Sequence, residues 1–245
     1  IDPDILCLCE GPKGEAAITE FCSEVLEDKW VPVLLSDSGD ATLDARYQIK
    51  GNQWIWFLVK PFVLEQCVLQ NPEVWKSFTQ ERTWPVNYWG QTQSKRHDHY
   101  RHPQVLRVGI GTEVIELIGV HLKSKINRNS PTRDGDGNIL SPYLETALTA
   151  RIKLATEARN IRRYIEARFD QTPNPGIIIL GDANDGVGQD WFEARYLFFD
   201  LVSNLQGDVL KADRFFNHAL FDFPAHLRWS AKYPDKILRI PARDN

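Results

Sequence analysis

The chain reads as an α/β fold, and three observations carry that reading. Unbroken apolar runs of strand length recur at 5–9, 54–59 and 177–180. Two stretches, 14–28 and 143–169, place apolar residues at three- and four-residue spacing, the mark of an amphipathic helix. Gly111-Thr112 separates two further strand-like runs, 105–110 and 113–121, and reads as a tight hairpin turn. The 245 residues show no linker, so one domain is expected.

Taken in order, residues 3–10 form a buried strand in which five consecutive apolar residues are followed by a charge, Glu10, at its end. Ile18, Phe21, Cys22, Val25 and Leu26 supply the inward stripe of the first helix. A strand at 31–36 and a turn at 37–40 follow. Residues 53–60 and 62–69 read as two strands around Pro61, a hairpin or bulged pair. Residues 71–104 read as an irregular surface loop whose tryptophans pack down and whose histidines are solvated. Its aromatics (Trp75, Trp84, Tyr88, Trp89) interleaved with bases (Lys95, Arg96, Arg101) would also suit a polynucleotide. After the hairpin comes a polar loop, 126–142, in which Asp134, Asp136 and Asn138 read as a turn rather than a calcium loop. The second helix carries Arg151, Lys153, Arg159, Arg162, Arg163 and Arg168, which read as a solvated face. Pro175 and Gly176 introduce the strand 177–180, apolar enough to be buried on both faces. A helix at 189–195, a strand at 197–202 and an aromatic-rich tail with no concluding strand or helix complete the chain.

Composition narrows the function classes. Hydrophobic content of 42% with 25% charged residues is that of an ordinary globular protein. No apolar run approaches the roughly 20 residues of a membrane span. A net charge of −4 gives no global basic field, so any nucleic-acid contact needs a local basic patch or a metal ion. Cys7, Cys9, Cys22 and Cys67 read as reduced thiols, with no zinc-type spacing. Such thiols favour the cytoplasm, with export left open by a start inside a strand. Methionine is absent, where average usage predicts about five.

Chemistry concentrates where strands end. The 177–180 run stops at Gly181 and is followed by Asp182, Asn184 and Asp185. Asp182 and Asn184 are two apart and point the same way in extended backbone, and a carboxylate beside an amide suits a hard cation and a phosphate oxygen. Glu10 ends one buried strand and His121 another. Lys123 would face the same way as His121 if that strand continues, placing a fixed cation for an anionic substrate. Each residue alone has an ordinary reading, as a turn former, a solvated acid or a rim histidine.

Leu-Cys-Leu-Cys-Glu, Val-His-Leu-Lys-Ser-Lys and Leu-Gly-Asp-Ala-Asn-Asp, in that order and spacing, resemble the endonuclease/exonuclease/phosphatase superfamily. These are metal-dependent phosphoesterases similar to pancreatic deoxyribonuclease. The resemblance implies a four-layered sandwich, two mostly antiparallel sheets face to face with helices outside. It implies that Glu10 and Asp182 hold Mg²⁺ or Mn²⁺, that Asp182 orients or deprotonates water, that His121 contacts the phosphate, and that Asn184 binds a phosphate oxygen. The implied activity is phosphoester hydrolysis, a phosphodiesterase or nuclease first, acting as a monomer. The alternatives are a phosphatase for lipid or inositol phosphates, or a non-catalytic phosphate- or protein-binding domain on the same scaffold. The family's opening asparagine strand and closing Asp-His pair have no counterpart here, so the chain is expected to be a fragment truncated at both ends.

Overall fold

The computed structural model describes residues 2–36, 51–72, 74–75, 84–88, 91–95, 99–127, 129–190, 192–197, 200–228, 232–235 and 240–244. The turn expected at 37–40 and the loop residues Trp89, Arg96, His97 and Asp98 lie outside them. The chain forms two compact units: residues 1–81, 98–121 and 168–183 make the first, and residues 82–97, 122–167 and 184–245 the second.

The first unit holds two sheets. Strands β1 (Ile5–Gly11), β2 (Val31–Pro32) and β3 (Trp54–Val59) form an antiparallel sheet in the order β1-β3-β2. Strands β4 (Cys67–Leu69), β7 (Gln104–Ile110), β8 (Glu113–His121) and β9 (Gly176–Asp182) form the other in that order. Its pairs are antiparallel except β8–β9, which is parallel. Side chains of both sheets share one apolar core, with Trp56, Phe57 and Leu58 from β3 meeting Leu106, Val108 and Leu117 from β7 and β8. Helix α1 (Glu15–Glu24) adds Ile18 and Cys22 to that core.

The central strand β3 is buried along its whole length, as a two-faced apolar run demands. The 177–180 run is not: β9 is an edge strand, and Ile178 is 50% exposed. β1, the other acid-bearing strand, is also an edge. The pairing expected around Pro61 is absent. Pro61 opens a 3₁₀ turn, Pro61–Gln66, and only Cys67–Leu69 extends, joining the other sheet. Proline has no N–H to give a ladder, and its fixed φ suits the first residue of a helical turn. The strand at 31–36 shrinks to Val31–Pro32. Trp75 packs down as expected, but His99 and His102, expected to be solvated, are buried too, with the Trp75 and His99 rings 6.1 Å apart.

The second unit contains α2 (Ser141–Gln171, of which 168–171 belong to the first unit), α3 (Leu201–Gln206) and two antiparallel pairs. These are β5–β6 (Trp84–Tyr88, Gln91–Lys95), inside the stretch read as irregular, and β10–β11 (Lys232–Asp235, Ile240–Asp244), in the tail expected to have no concluding strand. In place of the strand expected at 197–202, Leu197 ends one helical turn and Leu201 and Val202 begin α3. A π-helical turn covers Glu193–Leu197, and Asp200 caps α3 by accepting from Ser203 N at 2.7 Å. The arginine face of α2 is only partly solvated. Arg151 is buried against Asp190, and Arg162 pairs with Glu166 and donates to the carbonyls of Leu205, Gln206 and Arg214. Arg168 clasps buried Glu116 at 2.9 Å. Asp134 closes a turn, accepting from the backbone N–H groups of Asp136 and Asn138. Among the described residues no helix is long and apolar enough to cross a membrane.

Candidate active site

The parallel pairing of β8 and β9 sets His121 directly opposite Asp182. The register is fixed by apolar partners below it, Leu117 opposite Ile178 and Ile118 opposite Ile179. Between the two strand ends, Gly181 takes φ +125°, and a Cβ there would lie 2.1 Å from the Val120 carbonyl oxygen. Only glycine lets β9 run this close to β8 at its last step.

Glu10 arrives from the other sheet by a bulge. β1 pairs Leu8 with Trp56 and Gly11 with Trp54, so Cys9 and Glu10 together oppose one residue of β3. Glu10 has φ +61°, a left-handed conformation that costs a side-chain-bearing residue about 1 kcal/mol or more. Trp56 Nε1 pins the chain beyond the bulge by donating to the Pro12 carbonyl at 2.8 Å. The bulge re-aims Glu10 toward the end of β8: His121 Nε2 lies 3.9 Å from Glu10 Oε1 and 3.7 Å from Asp182 Oδ2. The imidazole is 4% exposed, whereas the two carboxylates are 57% and 50% exposed. A buried imidazole thus sits between two carboxylates whose oxygens reach water.

Sequence reasoning missed a cation at the same rim. Gln104 pairs with Gly119, so the residues before β7 lie level with the end of β8. Arg101 is there, its Nη2 donating to Gln53 Oε1 at 2.6 Å and its Nε to the Gln53 carbonyl at 3.1 Å. Gln53 precedes Trp54, which pairs with Gly11, and so belongs to the Glu10 end of β3. The guanidinium stands 5.3 Å from the Tyr100 ring centroid, and Tyr100 is exposed. Cys9, beside Glu10, has its thiol pulled down to about 7, first by a hydrogen bond from Cys7, with the Asp182 backbone and the Arg101 charge assisting. The signal was the Tyr-Arg pair itself, submerged in a long basic and aromatic stretch read as one loop.

Asn184 and Lys123 belong to the second unit. Asn184 has φ +52° and donates from Nδ2 to the Leu122 carbonyl at 3.0 Å. β8 ends at His121, so the alternation expected to aim Lys123 like His121 does not continue. Lys123 N donates to Glu157 Oε2 at 2.7 Å, and its Nζ to the Ser124 carbonyl at 2.9 Å.

Among the described residues, no group of three or more His, Cys, Asp or Glu side chains is arranged to hold a metal ion. Glu10 and Asp182 nevertheless fit magnesium in kind. They are hard oxygen donors open to water, and magnesium keeps several waters while binding through one or two carboxylates and a substrate phosphate.

No family model matches the chain, and no curated protein does. Among solved structures, the crystal structure of truncated Caenorhabditis elegans TDP2 is similar, with a TM-score of 0.39 and 16% identity. The match covers 75% of this chain and 50% of that one. What the rim can do follows from its own residues: two carboxylates for a cation or a water, an imidazole for proton transfer, and an anchored guanidinium for an anion.

Proposed function

We propose that this chain hydrolyses phosphoester bonds with the help of Mg²⁺ or Mn²⁺, its substrate being a phosphodiester, nucleic acid first. The observation that carries this reading is the meeting of Glu10, His121 and Asp182, from three strand ends and two sheets, within 3.9 Å of one imidazole nitrogen. Phosphoester hydrolysis places negative charge on non-bridging and leaving oxygens, and fixed donors stabilise it. Glu10 and Asp182 would hold the cation, which when bound supplies positive charge for the phosphate oxygens. Asp182 orients the attacking water and accepts its proton. His121, held by burial, contacts the phosphate and gives a proton to the leaving oxygen. Asn184 is assigned to a phosphate oxygen, the role the sequence resemblance implies for it. Arg101 adds a pre-positioned cation for the phosphate, and the exposed Tyr100 ring beside it suits a nucleobase, which is what favours nucleic acid over an inositol or lipid phosphate.

The test is hydrolysis of bis(p-nitrophenyl) phosphate with added Mg²⁺ or Mn²⁺, and its loss in chelator. Glu10→Ala, His121→Ala and Asp182→Ala are each expected to lower kcat about 100-fold or more. Activity that survives both carboxylate substitutions refutes the assignment. A panel of single- and double-stranded DNA, RNA, inositol phosphates and phospholipids then ranks the substrate classes. Tight phosphate-ester binding without turnover would turn the reading toward a binding domain.

A further inference from the structure

A buried charge cluster in the second unit is left unused by the chemistry above. Lys125 Nζ donates to Asp185 Oδ1, lies 3.2 Å from Glu193 Oε1 and 3.5 Å from Asp190 Oδ2. An ammonium has three N–H donors, and here three carboxylates surround it. Arg151 closes the far side. Its Nε donates to Asp190 Oδ2 at 2.9 Å, its Nη1 to the Ala147 carbonyl at 3.0 Å, and its plane lies 4.5 Å from the Phe192 ring centroid. Asp190 and Glu193 lock each other: Asp190 N donates to Glu193 Oε2 and Glu193 N to Asp190 Oδ1, both at 2.9 Å. The Glu193 side chain is fully buried and that of Asp185 is 3% exposed.

The cluster grips one particular turn. Asp185 Oδ1 also accepts from Gly186 N at 2.9 Å, and the residue before it, Asn184, donates to the Leu122 carbonyl. The 184–186 turn is therefore tied to the 122–125 segment at two points, one of them the amide side chain of Asn184 and the other the ammonium of Lys125. Asn184 holds a left-handed φ, which asparagine adopts more readily than most residues, and these two ties hold it there. We propose that Lys125 is a positioning residue for Asn184, and that Asp185 transmits its hold. The proposal rests on the reading of Asn184 as a phosphate-oxygen ligand.

The charges also distinguish this from plain structural glue. Three carboxylates face two cations, so full ionisation would bury one excess negative charge, a state that favours retaining a proton. Burial pushes Glu193 up to about 7, and the neighbouring acids add to the effect against the pull of Lys125. Asp185 Oδ2 has no hydrogen-bond partner among the described residues. Asp185→Asn removes the excess charge while keeping the shape. If the cluster only glued the unit together, that variant would be as stable as wild type and as active.

The experiment measures Asp185→Asn and Lys125→Met by urea unfolding, by steady-state hydrolysis, and by the ¹⁵N–¹H resonance of the Asn184 side-chain amide. Asp185→Asn is expected to retain stability yet lose tenfold to a hundredfold in kcat/KM, the scale of a roughly 1 Å misplacement. Its Asn184 amide resonance should shift, whereas that of Ile161→Val, a core change in the same unit, should not. In a double-mutant cycle, Lys125→Met should cost little further activity once Asn184 is alanine. An unmoved Asn184 amide in both cluster variants, or fully additive activity losses, overturns the proposal. Wild-type protein that hydrolyses nothing defeats the functional reading alone, and the amide resonance still decides whether Lys125 holds Asn184.

Discussion

Gly181→Ala tests the geometry of the site more sharply than removal of any charged group. The added Cβ would sit 2.1 Å from the Val120 carbonyl oxygen and 3.0 Å from its nitrogen, both backbone atoms that cannot rotate away. The φ of +125° is itself closed to alanine at a cost of about 1–3 kcal/mol. Forcing β8 and β9 apart adds a packing cost of roughly 1–3 kcal/mol. Together they predict a loss of roughly 2–6 kcal/mol, which lowers the folded-to-unfolded ratio by about 30-fold or more. The displaced pairs are Val120 with Gly181 and His121 with Asp182, so hydrolysis should fall together with stability. Urea unfolding with parallel kinetics measures both. Gly176→Ala is the control. At the other end of the same strand its Cβ would meet Ile115 at 3.4 Å, an ordinary contact, and the change should cost under about 1 kcal/mol. A Gly181→Ala protein within about 0.5 kcal/mol of wild type, with full activity, would show that β9 does not approach β8 as described.

Other outcomes follow from single residues. Glu10→Gly relieves the left-handed φ and should raise stability by about 1 kcal/mol while abolishing hydrolysis; a drop in melting temperature would deny that the bulge is strained. Glu193 binds its proton more tightly folded than unfolded, with a value near 7 against an ordinary 4.5. Its contribution is therefore complete below pH 4.5 and is lost as pH rises through 7, at most about 3 kcal/mol. Glu193→Gln should flatten that fall, measured by urea midpoints across the window. Asp190 is held down mainly by Arg151 against its burial, so its own loss comes only in stronger acid. Cys9, with its thiol near 7, should alkylate with a midpoint close to neutrality while Cys7, pushed up by the hydrogen bond it shares with Cys9, stays inert; peptide mass spectrometry after iodoacetamide pulses would read this.

The strands that bear the site were legible because their runs are apolar enough to leave no competing element, and the charges that end them stand out by contrast. That Glu10, His121 and Asp182 stand at strand ends was readable for that reason. Whether a run is central or an edge depends on its neighbours, which periodicity does not encode; hence Ile178, read as buried, is half open. Leu197–Val202 failed through a turn signal passed over, since Asp200 with Ser203 three residues on is a helix start. The arginines of α2 were misjudged because their partners are remote: Asp190 lies 39 residues beyond Arg151, and Glu116 52 residues before Arg168. Lys125 was passed over for the same reason. A polar loop lysine looks solvated until the chain returns with three acids to enclose it.

Parallel strands cannot be joined by a tight turn, and β8 and β9 are no exception. Between His121 and Asp182 the polypeptide departs, lays down α2 and comes back. The histidine and the aspartate therefore become neighbours only once that excursion has closed. A ribosome-bound chain lacking β9 would have the imidazole and Glu10 but not yet Asp182. The same detour carries Lys125 and Arg151, so the segment that delays the meeting also brings the buried charge cluster with it.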